Sequence, residues 1–213
     1  MADSPQTSKS STRWARRKDA RPAEILEAAL KVFAEKGFAG ARMDDIARRA
    51  GVTKGTIYLY FENKDAVFKT LVRDTIGATI GNVGETIQRL PGSARDLIRF
   101  AFTAIAQVVA TSDRVVLPKI IIAEAGNFPE LARFYRDEVV RNGLGLMGGL
   151  IERGIAQGEF RRLPIEHVVR IVIAPMLMSA IWRVTFAQFD ETPYDYQGLV
   201  ETHLDILFKG LAP

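Results

Sequence analysis

The sequence of 213 residues predicts an all-α fold: an N-terminal three-helix domain with a helix-turn-helix, followed by a larger C-terminal helical domain. Apolar residues recur at helical spacing along most of the chain, strand-like alternation is nearly absent, and Pro or Gly punctuates each junction between periodic segments. With 47% hydrophobic and 25% charged residues the chain has enough apolar surface to bury a core. There is no cysteine, so neither a disulfide framework nor a thiolate metal site is available, and a reducing cytoplasm is the expected location.

Residues 1–21 are polar, basic and Ser-rich, and form an expected flexible arm. They contain no apolar run of the kind a secretory signal needs. The longest apolar stretches, such as Ile171–Trp182, fall short of the roughly 18 residues of a membrane span, so no membrane association is expected. In the arm, Arg13–Arg21 ("RWARRKDAR") reads either as a strand of cations lying along phosphates or as a solvated tail.

The first helix is expected from Pro22, since proline suits a first helical position, with Ile25, Leu26, Ala29, Val32 and Phe33 as its apolar stripe and Gly37 as its end. A short second helix carries Met43, Ile46, Ala47 and Ala50 at i, i+3, i+4 and i+7. Asp44 and Asp45 sit near its positive end, and Gly51 stops it. The third starts after Thr53, a good N-cap, and is closed by Asn63 and Lys64. A long helix is expected over 65–90, broken at Pro91–Ser93, then helices over 94–111, 118–125, 129–157, 164–189 and 194–211. The domains expected on this reading are the arm, 22–64 and 65–213.

Charge is placed unevenly. Residues 1–64 hold 13 Lys and Arg against 8 Asp and Glu, whereas the remainder is nearly balanced. A basic end on a neutral body suits a polyanion-binding module on a carrier. Only Gly51, Val52 and Thr53 separate the second and third helices, and so short a connection forces a sharp crossing, the helix-turn-helix arrangement. Ala47 permits close approach, Gly51 supplies backbone freedom at the turn, and Val52 and Ile57 pack beneath.

In that arrangement the start of the third helix faces base edges in the DNA major groove. Lys54 suits guanine O6 or N7, and Thr56 suits a thymine methyl or a base acceptor. Gly55 lets the backbone come close, a reason for a residue that costs about 1 kcal/mol inside a helix. Tyr58, Tyr60 and Lys64 are placed to meet phosphates, which fix register without reading sequence. Tyr60 reads equally well as a partly buried core ring.

Residues 37–68 resemble the DNA-binding domain of the TetR/AcrR family of bacterial transcriptional regulators. The resemblance rests on Gly37 and Phe38, "DDIA" at Asp44–Ala47, "AGV" at Ala50–Val52, "KGTIY" at Lys54–Tyr58 and "YFENK" at Tyr60–Lys64. It implies a homodimer whose two recognition helices enter successive major grooves of a double-stranded, pseudo-palindromic operator. It also implies a C-terminal domain that binds a small-molecule effector and thereby lowers DNA affinity. Carried over by motif position, Thr53, Lys54, Gly55, Thr56, Tyr58, Tyr60 and Lys64 are the DNA-contact candidates. Two positions depart from the family. Ala41 and Arg42 stand where a Ser or Thr cap is common, which leaves Arg42 as either a phosphate contact or a solvated arginine. Leu59 stands where the family tends to place Tyr, His or Trp.

The C-terminal part contains no P-loop, HExxH, GxSxG or convincing carboxylate pair, and its two histidines, His167 and His203, are isolated on separate helices. No catalytic residue, cofactor or metal site is therefore expected. Gly77, Gly81 and Gly84 share a face of one helix, and Gly143, Gly145, Gly148, Gly149 and Gly154 crowd another, which suits close packing or a ligand cavity. An apolar effector pocket would draw on Phe102, Ile121, Met147, Met178 and Trp182, with Glu124 as the acid within an apolar run. The last two helices are apolar enough to form a four-helix interface across a two-fold axis, with half-sites on the order of 34 Å apart. The reading is a ligand-responsive repressor released by a small hydrophobic molecule. An activator, or a carrier or enzyme with an incidental helix-turn-helix, are the alternatives.

Overall fold

A computed structural model describes residues 9–213, with side chains from Arg21 onward; the first part of the basic arm and the side chains of its remainder lie outside the described residues. Among the described residues all regular structure is helical. The helices are α1 (Lys9–Gly40), α2 (Met43–Arg49), α3 (Lys54–Tyr58), α4 (Lys64–Val72), α5 (Ala78–Arg89), α6 (Ala94–Thr111), α7 (Val116–Glu124), α8 (Pro129–Tyr135), α9 (Arg141–Ala156), α10 (Ile165–Thr185) and α11 (Tyr196–Leu211). Single π-helical turns at Arg73–Gly77 and Arg136–Val140 separate α4 from α5 and α8 from α9. The chain divides into two compact units between Leu71 and Val72, further along than the expected boundary at Lys64.

In the first unit, α1 buries Ile25, Ala29, Leu30, Val32 and Phe33. It begins earlier than expected, so Pro22 lies inside it and not at its first position. At Gly37 the backbone takes φ 68, which breaks the helix and returns Phe38 to the same core. There Phe33, Phe38 and Phe68 form a ring cluster with centroids 5.3 to 5.7 Å apart, Phe68 edge-on to both others. Such pairs add about 0.5–1.5 kcal/mol beyond the area they bury. Ion pairs lock α1 to α2: Lys36 lies 2.8 Å from Asp45, and Arg49 pairs with Glu35. Asn63, expected to close the third helix, instead opens α4, because its Oδ1 accepts from the Ala66 N–H at 2.8 Å.

The second unit is built on α6. Leu97, Ile98, Ala101, Phe102, Ala106 and Val109 form a fully buried stripe at helical spacing. All but Val109 pack in one core with Met147, Leu150 and Ile151 of α9, Val169, Val172 and Met176 of α10, and Leu204, Leu207 and Phe208 of α11; Val109 packs with Val115 and Ala180. Charged side chains from other elements finish several helices of this unit. Glu159 accepts from the Ala94 and Arg95 N–H groups at the start of α6, at 2.8 and 3.1 Å. Arg183 donates to Val109 O and Ser112 O at its end, and Arg161 donates to Gly210 O near the end of α11. The two π turns face each other and are pinned by Arg73 and Glu138 at 2.8 Å. Part of the glycine pattern is packing: a Cβ on Gly84 would meet Leu146 at 3.7 Å, and one on Gly143 would meet Ile80 at 3.8 Å.

α10 is longer than its apolar run suggests. Ile165–Thr185 is 21 residues with a mean hydropathy of 1.6, long and apolar enough by composition to cross a membrane, although Val168, Val169, Val172 and Met176 bury one side of it in the core.

The α1–α2 lock has a pH signature. The hydrogen bond from Lys36, followed by its charge and that of Arg48, holds the Asp45 carboxyl below the usual carboxylate range. A depressed folded-state value stabilises the fold above the unfolded carboxylate pKa of about 3.9, and that contribution is lost as pH falls through the folded value. Urea denaturation should therefore show wild type more stable than Asp45→Asn at pH 7, with the difference shrinking below about pH 4.

Candidate nucleic-acid interface

The turn between α2 and α3 is a Schellman closure. Gly51, at φ 65, donates its N–H to Arg48 O at 3.2 Å, and Val52 donates to Ala47 O at 3.0 Å. A residue with a Cβ is strained at that φ, whereas open space surrounds the glycine. Beneath the turn Ile46, Ala47 and Ile57 are buried, and Val52 is half-buried. This fixes the direction in which α3 points.

Thr53 caps α3, its Oγ1 accepting from the Thr56 N–H at 3.2 Å and lying 2.8 Å from Thr56 Oγ1. Of the two hydroxyl hydrogens one serves that contact, and the other remains to donate outward. Lys54 is exposed and pairs with Asp44 of α2 at 3.1 Å, a contact that raises the pKa of its ammonium through the Asp44 hydrogen bond. An exposed pair of this kind is held only weakly in water, so Lys54 can leave Asp44 for a stronger acceptor at little cost. Around Gly55 a Cβ would find only Thr53 Oγ1, at 3.9 Å, an ordinary contact. Nothing among the described residues therefore requires glycine there. Tyr58 is 46% exposed, whereas Tyr60 is half-buried, in keeping with its double reading.

Arg42 occupies the N-cap of α2 with extended backbone and makes no side-chain cap, so its side chain stays exposed beside that helix end. Lys64 is placed differently from the expectation. Its Nζ donates to Phe38 O at 2.8 Å, Ala39 O at 3.1 Å and Ala41 O at 3.4 Å, and lies 4.6 Å from the Phe38 ring centroid. The ammonium has three hydrogens, and three carbonyls take them. It ties the start of α4 to the α1–α2 connection and does not reach outward. No pattern in the sequence distinguishes this inward lysine from a phosphate-facing one, since both follow the same aromatic pair.

The five expected effector residues do not converge. Phe102 and Met147 belong to the central core of the second unit, and Ile121 is buried in α7 outside that cluster. Met178 and Trp182 are 56% and 39% exposed on α10, and the Trp182 Nε1 donates to Asp190 at 2.8 Å. A helix with apolar residues all round does not reveal which stripe faces inward, and here these two lie on the outer one with Ile171. A groove of about 360 Å³ does open in this unit, lined by Arg99, Thr103, Gln107, Tyr194, Tyr196 and Glu201 among others, none of them expected. Glu124 is half-buried and accepts from Asn127 Nδ2 at 3.3 Å. His203 lies 3.0 Å from Val172 O and 5.4 Å from the Phe102 ring, which makes it an interior contact between α11 and α10; His167 is exposed.

Residues 25–71 match the bacterial regulatory proteins of the tetR family, and residues 91–192 match the tetracyclin repressor-like C-terminal domain. The fatty acid metabolism regulator protein of Bacillus subtilis is 24% identical over 88% of this chain and 94% of its own. An uncharacterized HTH-type transcriptional regulator of the same organism, YdeS, is 33% identical over 71% of this chain and 74% of its own. Among solved structures, the transcriptional regulator FadR from B. subtilis in complex with stearoyl-CoA superposes with a TM-score of 0.70 at 22% identity, covering 89% of this chain and 98% of that one.

The inward placement of Lys64 carries its own test. Lys64→Met leaves three carbonyls without their charged donor, and urea denaturation should show a loss of about 1–3 kcal/mol. A surface lysine serving only an outside partner would show a change within about 0.5 kcal/mol.

Proposed function

Because the chain belongs to the TetR family of bacterial regulatory proteins, we propose that it is a cytoplasmic, ligand-responsive repressor that binds a pseudo-palindromic operator as a homodimer and is released by a small hydrophobic effector. The observation that carries this reading is the packed turn and capped third helix, which leave Thr53, Lys54 and Gly55 exposed and Thr56 half-buried on a fixed base. The room for a side chain at Gly55 supports it most directly, since a glycine that no described residue requires is explained by a surface that approaches it. Arg42 and Tyr58 are the phosphate contacts in this proposal, and Lys64 holds the start of α4 to the α1–α2 connection.

The homodimer is proposed to form through α10. Ile171, Met178, Trp182 and Phe186 leave an apolar row exposed on that helix, and Ile206 of α11 adds to the exposed apolar surface. Covering such a surface with its own copy across a two-fold axis is the usual solution in helical oligomers. The effector is assigned to the second unit, and its hydrophobic class is supported by a relative of this fold that holds stearoyl-CoA.

Selection from host genomic fragments should recover a sequence-preferring, salt-dependent site, and long-chain acyl-CoA compounds should release it; binding equal on selected and random DNA would exclude the repressor reading. Gly55→Ala should keep or slightly raise stability, by up to about 1 kcal/mol, yet weaken binding to the selected site, measured by fluorescence anisotropy. Ile171→Glu should convert the dimer to a folded monomer in sedimentation velocity and weaken operator binding with it. A wild-type protein that sediments as a monomer would exclude that interface.

A further inference from the structure

Leu59 is the residue that no role above absorbs. It is 82% exposed, the most exposed large apolar side chain among the described residues, and it follows directly on the helix that reads DNA in the proposed function. The backbone at Leu59 is still right-handed helical, at φ −71 and ψ −23, and its N–H donates to Thr56 O at 3.2 Å. Helical angles therefore apply to it.

Buried Ile57 marks the direction of the core. At about 100° per residue, Gly55 and Leu59 each lie roughly 160° round from Ile57 and about 40° from one another. They are the two positions turned most directly away from the domain. One of them has no side chain, so the side chain at the outermost line of α3 is that of Leu59. Thr56 and Tyr58, each about 100° round from Ile57, flank this line.

Leucine neither donates nor accepts a hydrogen bond, so it cannot read guanine, adenine or cytosine by pairing with their polar edges. Placing it against the cytosine amine would desolvate that donor without replacement. The apolar group among the base edges of the major groove is the thymine 5-methyl. We propose that Leu59 is a specificity residue that reads a thymine methyl group in each operator half-site, with Gly55 allowing the helix to come close enough for the contact. The proposal rests on the DNA-binding reading and names the base class that this side chain selects.

Fluorescence anisotropy at fixed salt, on an operator duplex selected by the wild-type protein, tests it by replacing each thymine in turn with deoxyuridine, which removes only the methyl. At one thymine per half-site the wild-type protein should lose about fourfold in affinity per half-site, the effect of one buried methyl-sized group. Leu59→Ala should bind the thymine and deoxyuridine duplexes equally at that position. It should keep the wild-type salt slope, because no counterion is released by a leucine. A flat deoxyuridine scan for wild type, a thymine preference retained by Leu59→Ala, or a changed salt slope in that variant would each overturn the proposal while leaving operator binding intact. Failure to select any operator overturns both readings together.

Discussion

A chain made almost wholly of helices has one recurring difficulty, the unsatisfied backbone groups at each helix end. Here the most consequential solution is the Lys64 ammonium, which sits over the Phe38 ring and collects the carbonyls of Phe38, Ala39 and Ala41 where the chain passes from α1 to α2. The aromatic cluster of Phe33, Phe38 and Phe68 lies in the core of the same unit, so one lysine joins polar closure to apolar packing. The second unit repeats the device with Glu159 at the start of α6, Arg183 at its end and Arg161 at the end of α11. In each case the charge comes from an element distant in sequence, so closing a helix end also fixes how two elements pack.

Much of this was legible from residue pattern. The 3.6-residue stripe of α6 gave its bounds, Gly51 and Thr53 marked the turn and the cap, and Pro91–Ser93 marked the break before α6. Local rules suffice where the partner of a group lies within four residues. They fail where the partner is remote. They also fail where a local signal has two readings: Asn63 suits the close of one helix or the start of the next, and only the hydrogen bond from the Ala66 N–H, three residues on, decides. Nothing local announces the two π turns, which oppose each other and share the Arg73–Glu138 pair.

The candidate site divides in the same manner. Thr53, Lys54, Gly55, Thr56 and Tyr58 all fall on α3 or its cap, which a tight turn leaves with little freedom of orientation. Lys64 does not, since its direction depends on carbonyls some twenty-five residues earlier in the chain. Met178 and Trp182 illustrate a second limit. Periodicity reveals that α10 is apolar, but when both faces are apolar it cannot say which one meets the core and which is left for another surface.

The hydroxyl pair at the head of α3 has a consequence for speed of recognition as well as for shape. Thr53 and Thr56 hold one another at 2.8 Å while Thr53 also caps the helix, so both rotors are already restrained in the free protein. Immobilising a flexible side chain at an interface ordinarily costs about 0.5–1.5 kcal/mol. In the proposed DNA-reading role, threonines set beforehand meet that entropy cost during folding and not at the moment of encounter, which favours selectivity from rigidity over affinity gained by late rearrangement.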